Sequence, residues 1–341
     1  LQHAGVVLGM SSIADHPFHN VLSISDPGYM NRAQVDQNYS AVTAACLLVR
    51  KSVYEQVGGM DEERLKVLFN DVDLCLKVRE LGYKIVWTPY ATAVHHGSTS
   101  LKSESTDLMK LALGNERAKQ ERGAMMERWL PQLANDPAYN RHLSFKPPGY
   151  QVEGTVVIDW DTNLHDRPRI LGSPLSGGSG EYRVIAPFRA LSRAGLAQCD
   201  VVQAGKMFQT RVLMPVEIER AKPDTLVLHS AIDDKQMEAL ALYQQYNQDV
   251  LRVLTLDDLL SQVPKDNSFY RYSYKDAKPR LRKALSFCDR LIVSTEPLAP
   301  IPDTNLSLHS SATEIISIND NGGQGGFDFH PVTLQRSQGA G

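Results

Sequence analysis

Short apolar runs alternate with segments of helical periodicity between Pro168 and Ala299, and this alternation is the strongest constraint on the fold. Five runs have the composition of buried strands: Arg169–Gly172, Asp200–Val202, Thr225–Leu228, Val250–Leu256 and Leu291–Ser294. Helical patterns lie between them near residues 184–191, 234–247 and 276–288. Strands and helices in alternation predict an α/β fold with a doubly wound parallel sheet.

The sequence pattern changes along the chain and divides it into two domains, a linker and a tail. The 341 residues are enough for two domains, because a domain typically takes about 150 residues. Residues 1–145 mix strand-like and helical patterns and predict a first domain, and residues 168–299 predict a second. The turn-rich stretch 146–167 predicts a linker between them. Residues 300–341, rich in Gly, Ser and Gln, predict a flexible tail.

Charge and hydropathy exclude several classes of protein. A net charge of −3 argues against a general nucleic-acid binder, and no apolar run is long enough to cross a membrane. The four cysteines lie far apart and form no metal-type pair, which favours a cytoplasmic protein. The chain begins at Leu1, without a methionine, and leads directly into the strand-like run Gly5–Leu8. It is therefore interpreted as a piece of a longer protein.

The densest chemical pattern lies between Gly58 and Ser100. The segment from Phe69 to Lys77 predicts the start of a helix that ends near Gly82, with Asn70 as its N-cap and with Asp71 and Asp73 in its first turn. By spacing alone, stabilisation of a helix start is the simpler explanation for the two acids. Strands are predicted at 84–87 and 91–94, and a histidine pair, 95–96, closes the second of these.

This pattern resembles the C-terminal half of family 2 glycosyltransferases, inverting GT-A enzymes that use nucleotide-sugars. The matching segments, in order, are Thr43–Lys51, Val57–Glu62, Asn70–Lys77, Leu81–Tyr83, Thr88–Ala91 and His95–His96. The resemblance implies a nucleotide-sugar donor, a glycan or polysaccharide acceptor, and hexosyl or rhamnosyl transfer. Residues 1–145 would then be the acceptor-side part of a GT-A domain.

The resemblance also implies roles for individual residues. Asp71 matches the catalytic base, and His95 matches a ligand of a divalent metal, Mn²⁺ or Mg²⁺. Asp73 is expected to orient the site or to pair with a cation. The small residues Thr43 and Ala44, on a strand predicted over 43–51, would line the acceptor pocket, although an ordinary buried strand explains them equally well.

A glycine-rich turn follows the first strand of the second domain. Gly177, Gly178 and Gly180 precede a helix, where glycines let a ligand approach the backbone and the helix N-terminus attracts anions. A plain tight turn is an equal alternative. Together with the segments 255–260 and 288–296, this turn resembles the Rossmann-like N-terminal domain of family 4 (GT-B) glycosyltransferases. Asp257 and Asp258 follow a strand. They either contact a ligand there or stabilise the start of a helix.

The sequence therefore predicts a glycosyltransferase of surface-polysaccharide biosynthesis, cytoplasmic, with the inner face of the membrane as a peripheral location. No Asp-x-Asp motif occurs in residues 1–60, so donor-binding parts are expected elsewhere and the chain alone is expected to be inactive. The alternative is a non-catalytic carbohydrate-binding or scaffold module. A nucleotide-sugar epimerase or dehydrogenase is disfavoured, because the full dinucleotide fingerprint is missing.

Overall fold

The chain divides into two compact units, Leu1–Gly154 and Thr155–Gly341, in a computed structural model. The structure describes residues 2–18, 21–94, 116–163, 166–203, 211–258, 263–266 and 276–294, together with the backbone of 315–320 and 327–332. The boundary between the units lies inside the predicted linker. Each unit is described separately below.

In the described part of the first unit, the elements are two small antiparallel sheets and three helices. Its strands are β1 (Val7–Leu8), β2 (Ala14–Asp15), β3 (Gln37–Tyr39) and β4 (Ile85–Trp87). Its helices are α1 (Lys51–Gln56), α2 (Asn70–Glu80) and α3 (Glu116–Ala134), with 3₁₀ turns at Met10–Ser12, Tyr29–Asn31 and Ala44–Cys46. β1 pairs with β2, and β3 pairs with β4.

Helices α2 and α3 supply much of the core of this unit. Leu74 of α2 is fully buried, and α3 buries Met125, Trp129 and Leu133 at spacings of four residues. This spacing places the three side chains on one face of the helix. No helix among the described residues combines the length and the apolar composition that crossing a bilayer requires.

The second unit is built on one seven-stranded sheet. Its strands are β5 (Arg169–Ser173), β6 (Gln198–Val201), β7 (Thr225–His229), β8 (Leu251–Leu256), β9 (Arg290–Val293), β10 (Ile315–Asp320) and β11 (Phe327–Val332). The order is β11-β10-β9-β8-β7-β5-β6, and every pair is parallel except β10 with β11. The predicted α/β fold with a Rossmann-like parallel sheet is confirmed.

Helices flank this sheet and cover both of its faces. They are α4 (Ala186–Arg193), α5 (Pro215–Ala221), α6 (Asp234–Tyr246) and α7 (Ala277–Leu285); a helical turn, Gly178–Gly180, and a π-helical stretch, Glu181–Ile185, lead into α4. Alternate strand residues enter two separate cores: Leu226 and Leu254 pack in one, and Val227 and Val253 in the other. Burial on both faces explains why the strands are continuous apolar runs.

The structure differs from the predictions in three segments. Residues 43–51 form no strand but a 3₁₀ turn, because the Thr43 side chain accepts a hydrogen bond from the Ala45 amide and caps a turn there. Residues 91–94 are irregular. The predicted flexible tail contains β10 and β11; β10 lies between β9 and β11, and its isoleucines at 315, 316 and 318 have high β-propensity.

The predicted linker, 146–167, packs at both of its ends. Tyr150 stacks on rings of the first unit, and Trp160 is buried in the second, where its Nε1 donates to the Ala221 carbonyl at 2.7 Å. The chain therefore passes from one unit to the other within a few residues of Gly154.

Candidate functional site

Asp71 lies at the N-terminal end of α2 with its carboxylate held by backbone amides. The Ala44 amide donates to Oδ2 at 3.1 Å, and the Val72 amide donates to Oδ1 at 2.9 Å. The side chain is half-buried, and no Lys or Arg of the described residues forms an ion pair with it. Its position at a helix start favours a negative charge, so Asp71 presents an oriented carboxylate with no cation attached.

The backbone preceding Asp71 is strained. Phe69, and not the predicted Asn70, is the N-cap of α2; it has φ 61° and ψ 7°, in the left-handed region that bulky residues rarely adopt. Its carbonyl accepts from the Asp73 amide at 2.9 Å, so the helical hydrogen bonds begin immediately. Left-handed bulky residues concentrate at functional sites, where surrounding contacts enforce them.

Asp73 has the opposite environment from Asp71. Its side chain is completely buried, and its Oδ1 accepts from Arg128 Nη1 at 2.8 Å and from Trp129 Nε1 at 2.9 Å. Lys77 Nζ lies 3.1 Å from Oδ2. The hydrogen bond to Asp73 raises the pKa of Arg128 further above its already high value. Asp73 was expected to orient the site or to pair with a cation; in the structure it is buried against Arg128 and Lys77, and these contacts hold α2 against α3.

The same cations also reach the Gly58–Asp61 turn. Lys77 Nζ donates to the Gly59 carbonyl at 2.6 Å, and Arg128 Nη1 lies 3.5 Å from Asp61 Oδ2. Two acids and two bases therefore connect this turn, the start of α2 and the middle of α3. Burying such charges costs the protein little stability only while both partners of each pair remain in place.

Ala44 contacts Asp71 through its amide, and Thr43 precedes it in the same turn; that the two residues line an acceptor pocket stays a prediction. Thr43 Oγ1 accepts from the Ala45 amide at 3.4 Å, and this capped turn leaves the Ala44 amide free to reach Asp71. Cys75, one turn along α2, donates through Sγ to the Val42 carbonyl at 3.7 Å. Burial raises the pKa of this thiol to about 11, so it is a neutral donor.

His95, the predicted metal ligand, lies outside the described residues. Within the described ranges, no group of three or more His, Cys, Asp or Glu side chains is placed to hold a metal ion. The metal site that the resemblance implies therefore stays a prediction.

A second polar cluster lies at the carboxyl ends of the strands in the second unit. His229 ends β7, Asp257 follows β8, and Ser179 lies in the helical turn after β5. Ser179 Oγ donates to Asp257 and lies 3.1 Å from His229 Nε2, which is 3.3 Å from Asp257 Oδ1. The sheet order reverses between β5 and β7, and open α/β sheets bind ligands at this point.

The hydrogen-bond pattern sets the proton positions in this cluster. The Leu175 amide donates to His229 Nδ1 at 3.4 Å, so in a neutral imidazole Nε2 carries the proton. Nε2 is then a donor and does not act as a base on Ser179. The acid also lies at Nε2 and not at Nδ1, which differs from a serine-nucleophile triad. Burial alone would raise the pKa of Asp257, but hydrogen bonds from His229 and Ser179 outweigh it and lower the pKa to about 2.

The predicted ligand-binding glycines have different surroundings. A Cβ on Gly177 or Gly178 would meet nothing within 4 Å, and Gly177 has φ 97°, which favours glycine. A Cβ on Gly180 would overlap the Leu175 carbonyl oxygen. Gly180 is therefore required for packing, whereas Gly177 and Gly178 border open space where a ligand has room.

Sequence reasoning identified Asp257 but missed Ser179 and His229. The signal was available for His229, because residues at the carboxyl ends of adjacent parallel strands meet at one edge of the sheet. Ser179 lies in the glycine-rich turn that was already singled out. A polar side chain between such glycines and before a helix is a candidate in its own right.

Comparison with known proteins gives relatives that match part of this chain. An uncharacterized protein, y4gI, of Sinorhizobium fredii is 43% identical over 146 residues, which are 43% of this chain and 15% of that protein. The O-antigen biosynthesis protein RfbC of Myxococcus xanthus is 34% identical over 146 residues, 42% of this chain and 10% of that protein.

A shorter match has a more specific name. An N-acetylglucosaminyl-diphospho-decaprenol L-rhamnosyltransferase of Mycobacterium tuberculosis is 41% identical over 59 residues, 17% of this chain and 19% of that protein. This chain thus spans between a tenth and a fifth of the length of these curated relatives. No protein-family model matches the chain, and no solved structure matches it significantly.

Proposed function

We propose that this chain is the acceptor-side part of a glycosyltransferase that moves a sugar, of hexosyl or rhamnosyl type, from a nucleotide-sugar to a glycan or polysaccharide. The observation that carries the proposal is the contrast between two acids of one helix turn. Asp73 is buried and neutralised by cations, whereas Asp71 is half-buried, oriented by the Ala44 amide and unpaired with any cation in the described ranges. The names of the two relatives, O-antigen biosynthesis protein and rhamnosyltransferase, support the same class.

In the proposed reaction Asp71 is the general base. An acceptor hydroxyl donates its proton to the Asp71 carboxylate while its oxygen attacks the anomeric carbon of the donor. A bond forms between that oxygen and the carbon, the bond from the carbon to the diphosphate oxygen breaks, and the nucleoside diphosphate leaves with the electron pair. Attack opposite the leaving group inverts the configuration. The Ala44 amide keeps the carboxylate oriented throughout.

A divalent metal, Mn²⁺ or Mg²⁺, with His95 as one ligand, stays a prediction of the resemblance. When bound, such a metal would neutralise charge on the leaving diphosphate. The described residues offer no site for it, so no step of the mechanism above is assigned to it.

The second unit extends the proposal. Its parallel sheet, with a polar cluster at the point where the strand order reverses, supports an N-terminal domain of a GT-B glycosyltransferase. A protein with both units would act where nucleotide-sugars are made, in the cytoplasm, with the inner face of the membrane as a peripheral location. The alternative, a carbohydrate-binding or scaffold module without catalysis, would need no oriented carboxylate at Asp71.

The test is nucleotide release from UDP-, GDP- and dTDP-sugars in the presence of glycan acceptors, with this chain and with a longer protein that contains it. Asp71→Asn should lower turnover about 100-fold or more. Glu80→Gln, at the exposed far end of the same helix, is the matched control and should leave turnover unchanged. Native circular dichroism together with unchanged turnover in Asp71→Asn would overturn the proposal. Glycan binding without release from any donor would favour the scaffold module.

A further inference from the structure

Three aromatic rings of the first unit form a stack that ends at the protein surface. Tyr150 stacks on Phe18 with ring centroids 5.0 Å apart and on Tyr29 with centroids 4.7 Å apart, and the Tyr29 and Tyr150 planes differ by only 9°. Phe18 is buried, Tyr150 is partly buried, and Tyr29 is 38% exposed. The stack thus runs from the core to an aromatic ring that is open to solvent.

Several contacts hold the middle ring of this stack in place. The Tyr150 hydroxyl lies 3.1 Å from the Tyr39 hydroxyl, and the Tyr150 amide donates to the Tyr139 hydroxyl at 2.9 Å. The Arg32 guanidinium lies 5.1 Å from the Tyr39 ring centroid and 5.8 Å from that of Tyr150. Tyr29 therefore rests on a fixed support.

The loop that carries Tyr29 is held as firmly. The Gly28 amide donates to Asp26 Oδ1 at 2.9 Å, and the Ala33 amide donates to the Pro27 carbonyl at 3.0 Å. Gly28 has φ 65°, and a Cβ there would lie 3.0 Å from Leu22 and 3.2 Å from Phe18. Met30, at φ 49°, is also in the left-handed region. These hydrogen bonds and the close packing at Gly28 restrain the loop, which preorganises the Tyr29 ring for a ligand.

The exposed residues next to Tyr29 in sequence are largely apolar, whereas Asp26 binds the Gly28 amide and Arg32 lies over the rings of Tyr39 and Tyr150. Met30 is 80% exposed and Ile24 is 74% exposed, with the hydroxyls of Ser23 and Ser25 nearby in sequence. Arg32, the nearest base in sequence, is engaged over the rings described above. An anionic membrane surface normally requires several free Lys or Arg residues, so this patch does not fit one.

We propose that Tyr29 is a sugar-stacking platform that binds a pyranose ring of the acceptor glycan. A pyranose with equatorial substituents has a flat face of axial C–H groups, which packs on the electron-rich face of an aromatic ring. A mostly apolar wall with a few polar groups is the usual make-up of a small-molecule site. The ligand class is a neutral hexopyranose or N-acetylhexosamine unit within an oligosaccharide.

The chain connects this platform to the candidate base. Tyr39, whose hydroxyl contacts Tyr150, ends β3, and Ala44, five residues later, donates to Asp71. Five residues span at most about 18 Å, so the strand that supports the platform and the turn that orients the candidate base are neighbours in the first unit. As an acceptor subsite the platform rests on the proposed function. Sugar binding at Tyr29, however, is measured without any transfer reaction.

The test is saturation-transfer-difference NMR on the full chain with N,N′,N″-triacetylchitotriose as the probe. We expect transfer to the axial ring protons in the wild type, binding about tenfold weaker in Tyr29→Ala, and retention in Tyr29→Trp. Tyr90→Ala is the matched control, since Tyr90 is 78% exposed and contacts no other ring within the described ranges. Circular dichroism checks that each variant folds.

Two results would overturn the platform. One is equal saturation transfer in the wild type and in folded Tyr29→Ala, and the other is absence of transfer to the probe in the wild type. Either result leaves the role of Asp71 to the nucleotide-release assay. Conversely, normal turnover in Asp71→Asn with Tyr29-dependent binding would retain the sugar platform and remove its role in transfer.

Discussion

Asp71 and Asp73 lie two residues apart in the first turn of one helix, and only Asp73 is bound to cations in the part of the chain that the structure describes. Arg128 Nη1 lies 2.8 Å from Asp73 Oδ1, whereas Asp71 accepts from the amides of Ala44 and Val72. Because helix residues two positions apart point about 200° apart, one acid faces α3 and the other faces the turn at Ala44. This division separates a structural acid from a candidate catalytic one.

The first prediction follows from that division. Asp73→Ala should lower the free energy of unfolding by about 3 kcal/mol, because it leaves Lys77 and Arg128 without their buried partner. Asp71→Ala should lower it by about 1 kcal/mol or less, since it removes only a half-buried helix-terminal acid. Urea denaturation of the two variants measures the difference. Equal losses would show that the two acids do not have separate roles.

The glycine-rich turn gives a second matched pair. Gly180→Ala should destabilise the second unit by about 2 kcal/mol, because its Cβ would overlap the Leu175 carbonyl oxygen. Gly178→Ala should be tolerated within about 1 kcal/mol, since a Cβ there meets nothing within 4 Å. Thermal unfolding of both variants tests this. Equal stability of the two variants would contradict the close approach at Gly180.

The sequence predicted elements more reliably than contacts. Helix α2 and strands β5, β7, β8 and β9 follow from periodicity and apolar runs, which are local properties. The left-handed Phe69 and the stack of Tyr29 on Tyr150 were not predictable, because they depend on groups far apart in sequence. The segment 43–51 reads as apolar, yet a side-chain cap at Thr43 directs it into a turn. Asp257 was found from its strand, whereas His229 needed the neighbouring strand as well.

A third prediction concerns a device that occurs twice in the parallel sheet. Arg169 binds Asp224, and Arg252 binds Asp289, each through two guanidinium nitrogens and a backbone amide. Asp224 precedes β7 and Asp289 precedes β9, so the first pair joins β5 to β7 and the second joins β8 to β9, both at the N-terminal ends of the strands. Asp289→Ala should cost about 2 kcal/mol, since the Arg252 side chain is only 9% exposed.

The exposed pair Arg189–Glu181 is the control for this device. Its side chains are 60% and 43% exposed, so Glu181→Ala should cost about 0.5 kcal/mol or less. A double-mutant cycle on Arg252 and Asp289 separates their coupling from the loss of either side chain. A coupling energy no larger than that of the exposed pair would contradict a structural role for the Arg252–Asp289 pair.

The fourth prediction concerns metal dependence. If His95 helps to hold a divalent cation, EDTA should abolish nucleotide release, and added Mn²⁺ or Mg²⁺ should restore it. His95→Ala should require a higher metal concentration for the same rate, because one of several ligands is lost. Full activity in EDTA would contradict a metal requirement. An unchanged metal titration in His95→Ala would remove this residue as the ligand.

The last prediction is a pH dependence that originates at Asp257. Hydrogen bonds from His229 and Ser179 lower its pKa to about 2, against 3.8 as the ordinary value for aspartate. A carboxyl whose folded pKa lies below its unfolded pKa stabilises the protein fully above the unfolded value and loses that contribution as pH falls toward the folded value. The wild type should therefore exceed Asp257→Asn in unfolding free energy by about 1–2 kcal/mol at pH 6, allowing for solvent screening. The difference should shrink between pH 4 and pH 2. Urea titrations of both proteins at several pH values measure it, and Ser179→Ala should give a smaller change of the same sign. Parallel curves for the wild type and Asp257→Asn across this range would show that the cluster does not hold an ionised Asp257.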